Sequence, residues 1–266
     1  MDRWLGLLPT GMTLANGACG LLSIAQTGVG LALHEAEDLH HARHFHHAAW
    51  LILLGMLFDA LDGFVARAVR KTSAYGAILD SLSDLLTFGA APAFLVFAVA
   101  WRPEFLATHW QERLLLTTAV VYGLAALLRL AKFTANTKPD ETSHRSFRGL
   151  PSPGAAGVVV GSVLVSRILP SGEVAPPDGW FRTTLLVSTF VAAFLMVSRV
   201  PYPHVVNQWV KRVSPILLGI GALIAVAVLA AFRGVAISVA FWGYAALGLV
   251  LWVAHLIHPG KSHHHA

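Results

Sequence analysis

F-D-A-L-D-G-F-V-A-R-A-V-R-K-T-S-A-Y-G-A-I-L-D-S-L-S-D, residues 58–84, places four aspartates, Asp59, Asp62, Asp80 and Asp84, at or inside two apolar segments long enough to enter a bilayer. On a helix, Asp59, Asp62, Gly63 and Ala66 follow the i, i+3, i+4, i+7 rule and share one face. Gly76, Asp80 and Asp84 repeat the pattern at i, i+4 and i+8 on the next helix. Two facing helices of this kind bring four carboxylates together, with glycines where something must approach the backbone. Four like charges in a low-dielectric setting repel strongly unless cations neutralise them. The stretch therefore reads as a divalent-metal site. Hard carboxylate oxygens without Cys or His nearby select Mg²⁺ or Mn²⁺ over zinc.

Working outward, the composition sets the class. The chain has 266 residues, 56% hydrophobic and only 12% charged, with a mean hydropathy of +0.64. Soluble domains carry about 25% charged residues, so the expected fold class is all-α, a polytopic integral membrane protein lying in a lipid bilayer. A span needs about 20 apolar residues. Segments 9–32, 48–70, 77–100, 113–135, 153–169, 180–200, 214–232 and 235–257 predict about eight transmembrane helices. The expected organisation is a core over residues 1–203, followed at 204–266 by an interfacial helix, two further spans and a short tail. A single cysteine, Cys19, excludes an intramolecular disulfide and Cys-rich metal sites. The first apolar segment lacks a basic n-region and carries Thr10, Thr13 and Asn16, so no cleavable signal peptide is expected.

The connections carry the remaining signals. Residues 33–47 hold six of the fourteen histidines and read as a polar connection. The His263–His265 tail receives no function. Val205–Val213 reads as a short amphipathic helix, with Tyr202 and Trp209 suited to a headgroup layer. Gly17, Gly20, Gly28, Gly30, Gly157 and Gly161 suit close helix packing; the G-x-x-x-G at 157–161 fits either a dimer contact or packing within the chain. With eight spans, the side holding both termini carries thirteen Lys and Arg and the opposite side six. The positive-inside rule places the aspartate cluster and both termini in the cytoplasm. The net charge of +5 is thus a matter of topology, and nucleic acid is not an expected partner.

The spacing D-x2-D-G-x2-A-R-x8-G-x3-D-x3-D is met by Asp59, Asp62, Gly63, Ala66, Arg67, Gly76, Asp80 and Asp84, eight fixed positions in 26 residues. It resembles the signature of the CDP-alcohol phosphotransferases, membrane enzymes that join a CDP-activated lipid or alcohol to a hydroxyl acceptor. The resemblance implies that Asp59, Asp62 and Asp80 are metal ligands. It implies that Asp84, also at the metal, is the general base that takes the acceptor's proton as CMP is released. It further implies that Gly63, Ala66, Arg67 and Gly76, with Asn16 of the first span, line the CDP site. Homodimers are common in that family.

R129-L-A-K-F-T, F147-R-G-L-P-S-P-G-A-A, L-D-S-L-S-D-L-L-T-F-G-A-A-P-A at 79–93 and V-P-Y-P at 200–203 resemble the phosphatidylserine synthase branch. Lys132 stands where that branch has Arg, and Thr134 where it has Asn. Arg129, Lys132, Arg145 and Arg148 form a cationic group suited to a lipid phosphate and an amino-acid carboxylate. These motifs fall within the first six spans, and the resemblance implies that those six form a catalytic core with CDP-diacylglycerol and L-serine as substrates. The same chemistry with glycerol phosphate or inositol phosphate is the nearest alternative. An ion-coupled transporter is a more distant one, since it predicts midplane carboxylates and repeated halves.

Overall fold

The computed structural model describes residues 7–36, 41–69, 74–101, 109–135, 149–165, 179–198, 200, 202 and 234–253. Among them every regular element is helical: α1 (Leu7–Glu35), α2 (His41–Val69), α3 (Ala74–Asp84), α4 (Ala91–Ala100), α5 (His109–Ala135), α6 (Ser152–Val165) and α7 (Gly179–Val197), then α8 (Gly234–Val253). Among the described residues, five segments are long and apolar enough to cross a membrane: Thr10–Leu33, His41–Gly63, Tyr75–Ala100, Glu112–Ala135 and Gly234–Val253. At a rise of about 1.5 Å, the 24 residues of the first reach about 36 Å, beyond a hydrocarbon core of about 30 Å. Leu21, Leu54, Val120, Leu128 and Phe194 point outward, as lipid-facing positions should. The all-α polytopic class stands. The expected span 214–232 and the interfacial helix at 205–213 lie outside the described residues.

Two expectations need correction. The polar connection at 33–47 is mostly helical: α1 runs to Glu35 and α2 starts at His41. The histidine stretch has an inward face, with Ala42, Phe45 and His46 buried, and Phe45 packs so closely on Gly30 that a Cβ there would lie 2.7 Å from its ring. His44 pairs with Gln26 across the hairpin at 2.7 Å. Tyr202 is turned into the bundle rather than outward toward lipid or solvent. It is buried, its hydroxyl donates to the Ala245 carbonyl at 3.2 Å, and its ring meets Tyr244 at 5.5 Å between centroids.

The expected single helix at 77–100 contains a wider turn. Between α3 and α4, Leu85–Ala90 is π-helical, and the Ala91 N–H reaches the Leu86 carbonyl, five residues back. Pro92, within the first turn of α4, has no N–H to offer the Phe88 carbonyl four residues before it. The Tyr122 hydroxyl of α5 donates to that carbonyl instead, at 3.0 Å. Such turns concentrate at functional sites, and this one follows directly on Asp84.

The helix directions follow from paired contacts. Ser23 of α1 bonds the Ala48 carbonyl of α2 at 2.9 Å, while Gly30 meets Phe45 and Gly55 meets Asn16; α1 and α2 are antiparallel. Gly17 faces Ser83 and Gly20 faces Thr87, so α3 and the π turn run parallel to α1. Ser81 bonds Thr134 at 2.8 Å, which with Tyr122–Phe88 makes α5 antiparallel to α3. The start of α1, the end of α2, the start of α3 and the end of α5 therefore lie at one end of the bundle.

The 157–161 glycine pair packs within the chain. A Cβ on Gly157 would lie 2.2 Å from the Phe241 ring, and one on Gly161 would lie 2.7 Å from Ser238 Cα, both on α8. Trp242 adds an indole N–H bond to Ser162 at 3.3 Å. Buried Phe88, Ile52, Leu95, Tyr122, Val158 and Val159 fill the centre.

Candidate active site

Each aspartate stands near the end of an apolar helix. Asp59 lies four residues before the end of the His41–Gly63 span, and Asp80 and Asp84 lie five and nine residues into Tyr75–Ala100. At about 1.5 Å per residue these positions lie roughly 6–14 Å along the helix from the nearer ends of those segments. Across the two helices Asp59, Asp80 and Asp84 each offer a carboxylate oxygen within 4.8 Å of the others. Asp62 is outside that trio but within electrostatic reach of all three. Like charges 4–5 Å apart at an effective dielectric of about 20 repel by roughly 3–4 kcal/mol per pair. A cation placed among them removes that repulsion.

Helix α1 supplies the polar partners. The Thr13 hydroxyl donates to Asp62 Oδ2, and the Asn16 amide donates to Asp84 Oδ1 at 2.9 Å. Among the described residues, Asp62 Oδ1 and Asn16 Oδ1 are buried without a hydrogen-bond partner. An orphaned carboxylate oxygen beside three converging carboxylates fits a hard divalent cation, and the trio includes no Cys or His. The donor set therefore suits the divalent ion expected from the sequence.

The surrounding backbone approaches closely. The Thr87 hydroxyl, one turn below Asp84, donates to the Asn16 carbonyl at 2.8 Å. A Cβ at Gly55 would lie 2.5 Å from Thr87 Cγ2 and 3.0 Å from Asn16 Oδ1. At Gly63 a Cβ would meet nothing within 4 Å, so the helix face beside Asp62 is open, as a bound nucleotide would require. Gly76 is half-buried on the first turn of α3. The side chains of Ala66 and Arg67 lie outside the described residues.

The cationic group is placed in part. Arg129 is half-buried on α5, within electrostatic reach of Tyr244 on α8. Lys132 is exposed three residues on. The end of α5 is pinned to α3 by the Ser81–Thr134 bond, next to Asp80. Arg145 and Arg148 lie outside the described residues. The glycine after them is described: Gly149 has φ +97°, its N–H donates to the Val200 carbonyl at 2.8 Å, and the Leu150 N–H donates to Leu195 at 2.9 Å. The turn thus closes the carbonyl end of α7.

Sequence reasoning missed the tasks of Thr87, Ser81 and Gly55. Ser81 and Thr87 stand inside the 79–93 stretch already quoted, and all three are polar or very small side chains within an apolar run, which marks a contact without naming its partner.

Residues 6–193 match the profile of the CDP-alcohol phosphatidyltransferase family. The chain is 36% identical over 158 residues to a CDP-diacylglycerol–serine O-phosphatidyltransferase of Saccharomyces cerevisiae, covering 59% of this chain and 53% of that protein. A protein of the same name from Methanocaldococcus jannaschii is 33% identical over 164 residues, covering 59% of this chain and 64% of the relative. The chain thus spans about half to two thirds of these two proteins. One from Bacillus subtilis is 30% identical over 202 residues, covering 75% and 92%.

Proposed function

The chain belongs to the CDP-alcohol phosphatidyltransferase family, and from that premise we propose that it transfers the phosphatidyl group of CDP-diacylglycerol to the hydroxyl of L-serine, giving phosphatidylserine and CMP. The observation that carries this reading is the meeting of Asp59, Asp80 and Asp84 within 4.8 Å at one end of an apolar bundle. Asp59, Asp62 and Asp80 would hold Mg²⁺ or Mn²⁺. When bound, the ion neutralises pyrophosphate oxygens and stabilises the leaving phosphate.

The other roles fall to the chain's own groups. Asp84 receives the serine hydroxyl proton as serine Oγ attacks the lipid-side phosphorus. The new O–P bond forms as the bond to CMP breaks, and CMP leaves with the electron pair. An aspartate suffices, because it only needs to accept the proton as the bond forms. Gly63, Ala66, Arg67 and Gly76 line the nucleotide's path along α2 and α3. Arg129, Lys132, Arg145 and Arg148 take the lipid phosphate and the serine carboxylate.

The excess of basic residues on one side puts the site and both termini in the cytoplasm. Residues 1–203 form the core, and 204–266 are an addition to it. A homodimer belongs to the same reading, with an interface elsewhere than the Gly157–Gly161 stripe that α8 fills.

The test is CMP release by purified protein given CDP-diacylglycerol, Mg²⁺ or Mn²⁺ and a panel of acceptors. Serine should be used best, and serinol, which lacks the carboxylate, poorly. Serinol or glycerol phosphate matching serine would overturn the acceptor assignment.

A further inference from the structure

Helix α1 carries a stripe of polar residues that an apolar helix has no local reason to bury. Thr13, Asn16, Ser23 and Thr27 are 3%, 0%, 0% and 0% exposed. Their spacing, with Gly20 between, follows one helical face. A buried polar group is costly unless paired, and these four have assigned contacts. Ser23 ties α1 to α2, and Thr27 bonds back to the Ser23 carbonyl at 2.8 Å. Thr13 and Asn16 are spent on carboxylates of two different helices, Asp62 and Asp84.

Asn16 is the more constrained of the two. Its carbonyl is held by Thr87. Its side chain occupies a slot whose far wall is Gly55, where a Cβ would lie 3.0 Å from Asn16 Oδ1. The amide orientation follows from chemistry: turned over, its oxygen would face the Asp84 carboxylate, which has no proton to donate when ionised. So Asn16 is fully buried and points its donor at Asp84.

We propose that Asn16 is a positioning residue for Asp84 rather than a contact to the nucleotide. By engaging Oδ1 it fixes the carboxylate plane and leaves Oδ2 as the oxygen presented to the acceptor hydroxyl. A neutral amide does this without cancelling the negative charge, which a Lys or Arg at the same place would do. The inference rests on the reading of Asp84 as the group that takes the serine proton.

The test compares Asn16→Ala, Asn16→Asp and Asp84→Asn, singly and with Asn16→Ala combined with Asp84→Asn, in CMP release with serine. Asn16→Ala removes the donor and should lower kcat about 10- to 150-fold, the range for losing a hydrogen bond to a charged group. The KM for CDP-diacylglycerol and the metal concentration for half-activation should stay within about twofold. Asn16→Asp has the same size and fits the slot, yet turns an acceptor toward Asp84 and adds a buried like charge, so its loss in rate should be at least as large and its thermal midpoint should fall. On the Asp84→Asn background, Asn16→Ala should cost no more than about twofold further, because the group it positions has gone.

A raised KM for CDP-diacylglycerol at unchanged kcat would make Asn16 a nucleotide contact. A full further loss on the Asp84→Asn background would make its role merely structural. Either result removes the positioning role and leaves the site reading intact. No CMP release with serine by the unmodified protein, or an Asp84→Asn variant as fast as it, would overturn the site reading and the positioning role together.

Discussion

Replacing Gly20 by alanine would put a methyl group 2.6 Å from the Thr87 hydroxyl and 2.9 Å from Thr87 Cα and N. The hydroxyl can rotate away, but the backbone atoms cannot move without moving the π turn. Carbon atoms in contact settle about 3.5–4.0 Å apart, so α1 and the turn must separate by roughly 1 Å. That separation stretches the 2.8 Å Thr87–Asn16 bond and the 2.9 Å Asn16–Asp84 bond to lengths at which a hydrogen bond is weak or lost. Overpacking of this kind costs about 1–3 kcal/mol, or about 2–4 °C of Tm per kcal/mol at this chain size. A displacement of about 1 Å in a reacting group costs about 10²-fold in rate. Gly20→Ala should therefore lose both Tm and roughly that much CMP release, measured on the same detergent-purified sample. Gly28, on the same helix, is the control, because a Cβ there meets nothing within 4 Å. Alanine is favoured over glycine in a helix interior by about 0.5–1 kcal/mol, so Gly28→Ala should hold or raise Tm and keep its rate within about twofold. Identical behaviour of the two variants would refute the claim that this close approach holds Asn16 against Asp84.

Asp59→Asn or Asp80→Asn should raise the Mg²⁺ or Mn²⁺ concentration for half-maximal CMP release at least about 10-fold, since each removes a charged oxygen ligand. Excess chelator should stop the unmodified protein, and full turnover in chelator would contradict the metal reading. Gly149→Ala meets a φ of +97° and a carbonyl oxygen, Met196 O, 2.5 Å from the new Cβ. The left-handed backbone costs about 1–2 kcal/mol, and loss of the bonds to Val200 and Leu195 costs about 0.5–1.5 kcal/mol each. Thermal unfolding should show about 2–5 kcal/mol of destabilisation; an unchanged midpoint would mean that the turn is not held as described.

The periodicity of the aspartates was legible because it is local. Spacings of three and four residues place Asp59 with Asp62 and Asp80 with Asp84 on shared faces, whatever else the chain does. Hydropathy located the apolar helices for the same reason, although it ended the first too early and began the second too late, because the polar residues 33–47 lower any window average while Phe45 still packs inward. Rotation of one helix about its axis relative to another is not local. It decides that Asn16 meets Asp84 across 68 positions, and that Asp62 bonds Thr13 while the other three carboxylates converge. The π turn was hidden because Leu85–Ala90 keeps an apolar composition; only Pro92 hints that a carbonyl upstream needs another donor. Small residues at 157 and 161 announced a close neighbour but could not say whether it came from this chain.

That neighbour is made late. Gly161 and the Ser238 backbone that covers it are 77 residues apart in the chain. At about 5–20 residues per second of synthesis, roughly 4–15 s pass between them. During that interval the nascent chain holds α6 with this stripe uncovered by α8, and a ribosome that stops short of residue 238 leaves it so. A truncated product would thus display a glycine-lined groove, shaped for a helix, to any passing membrane segment.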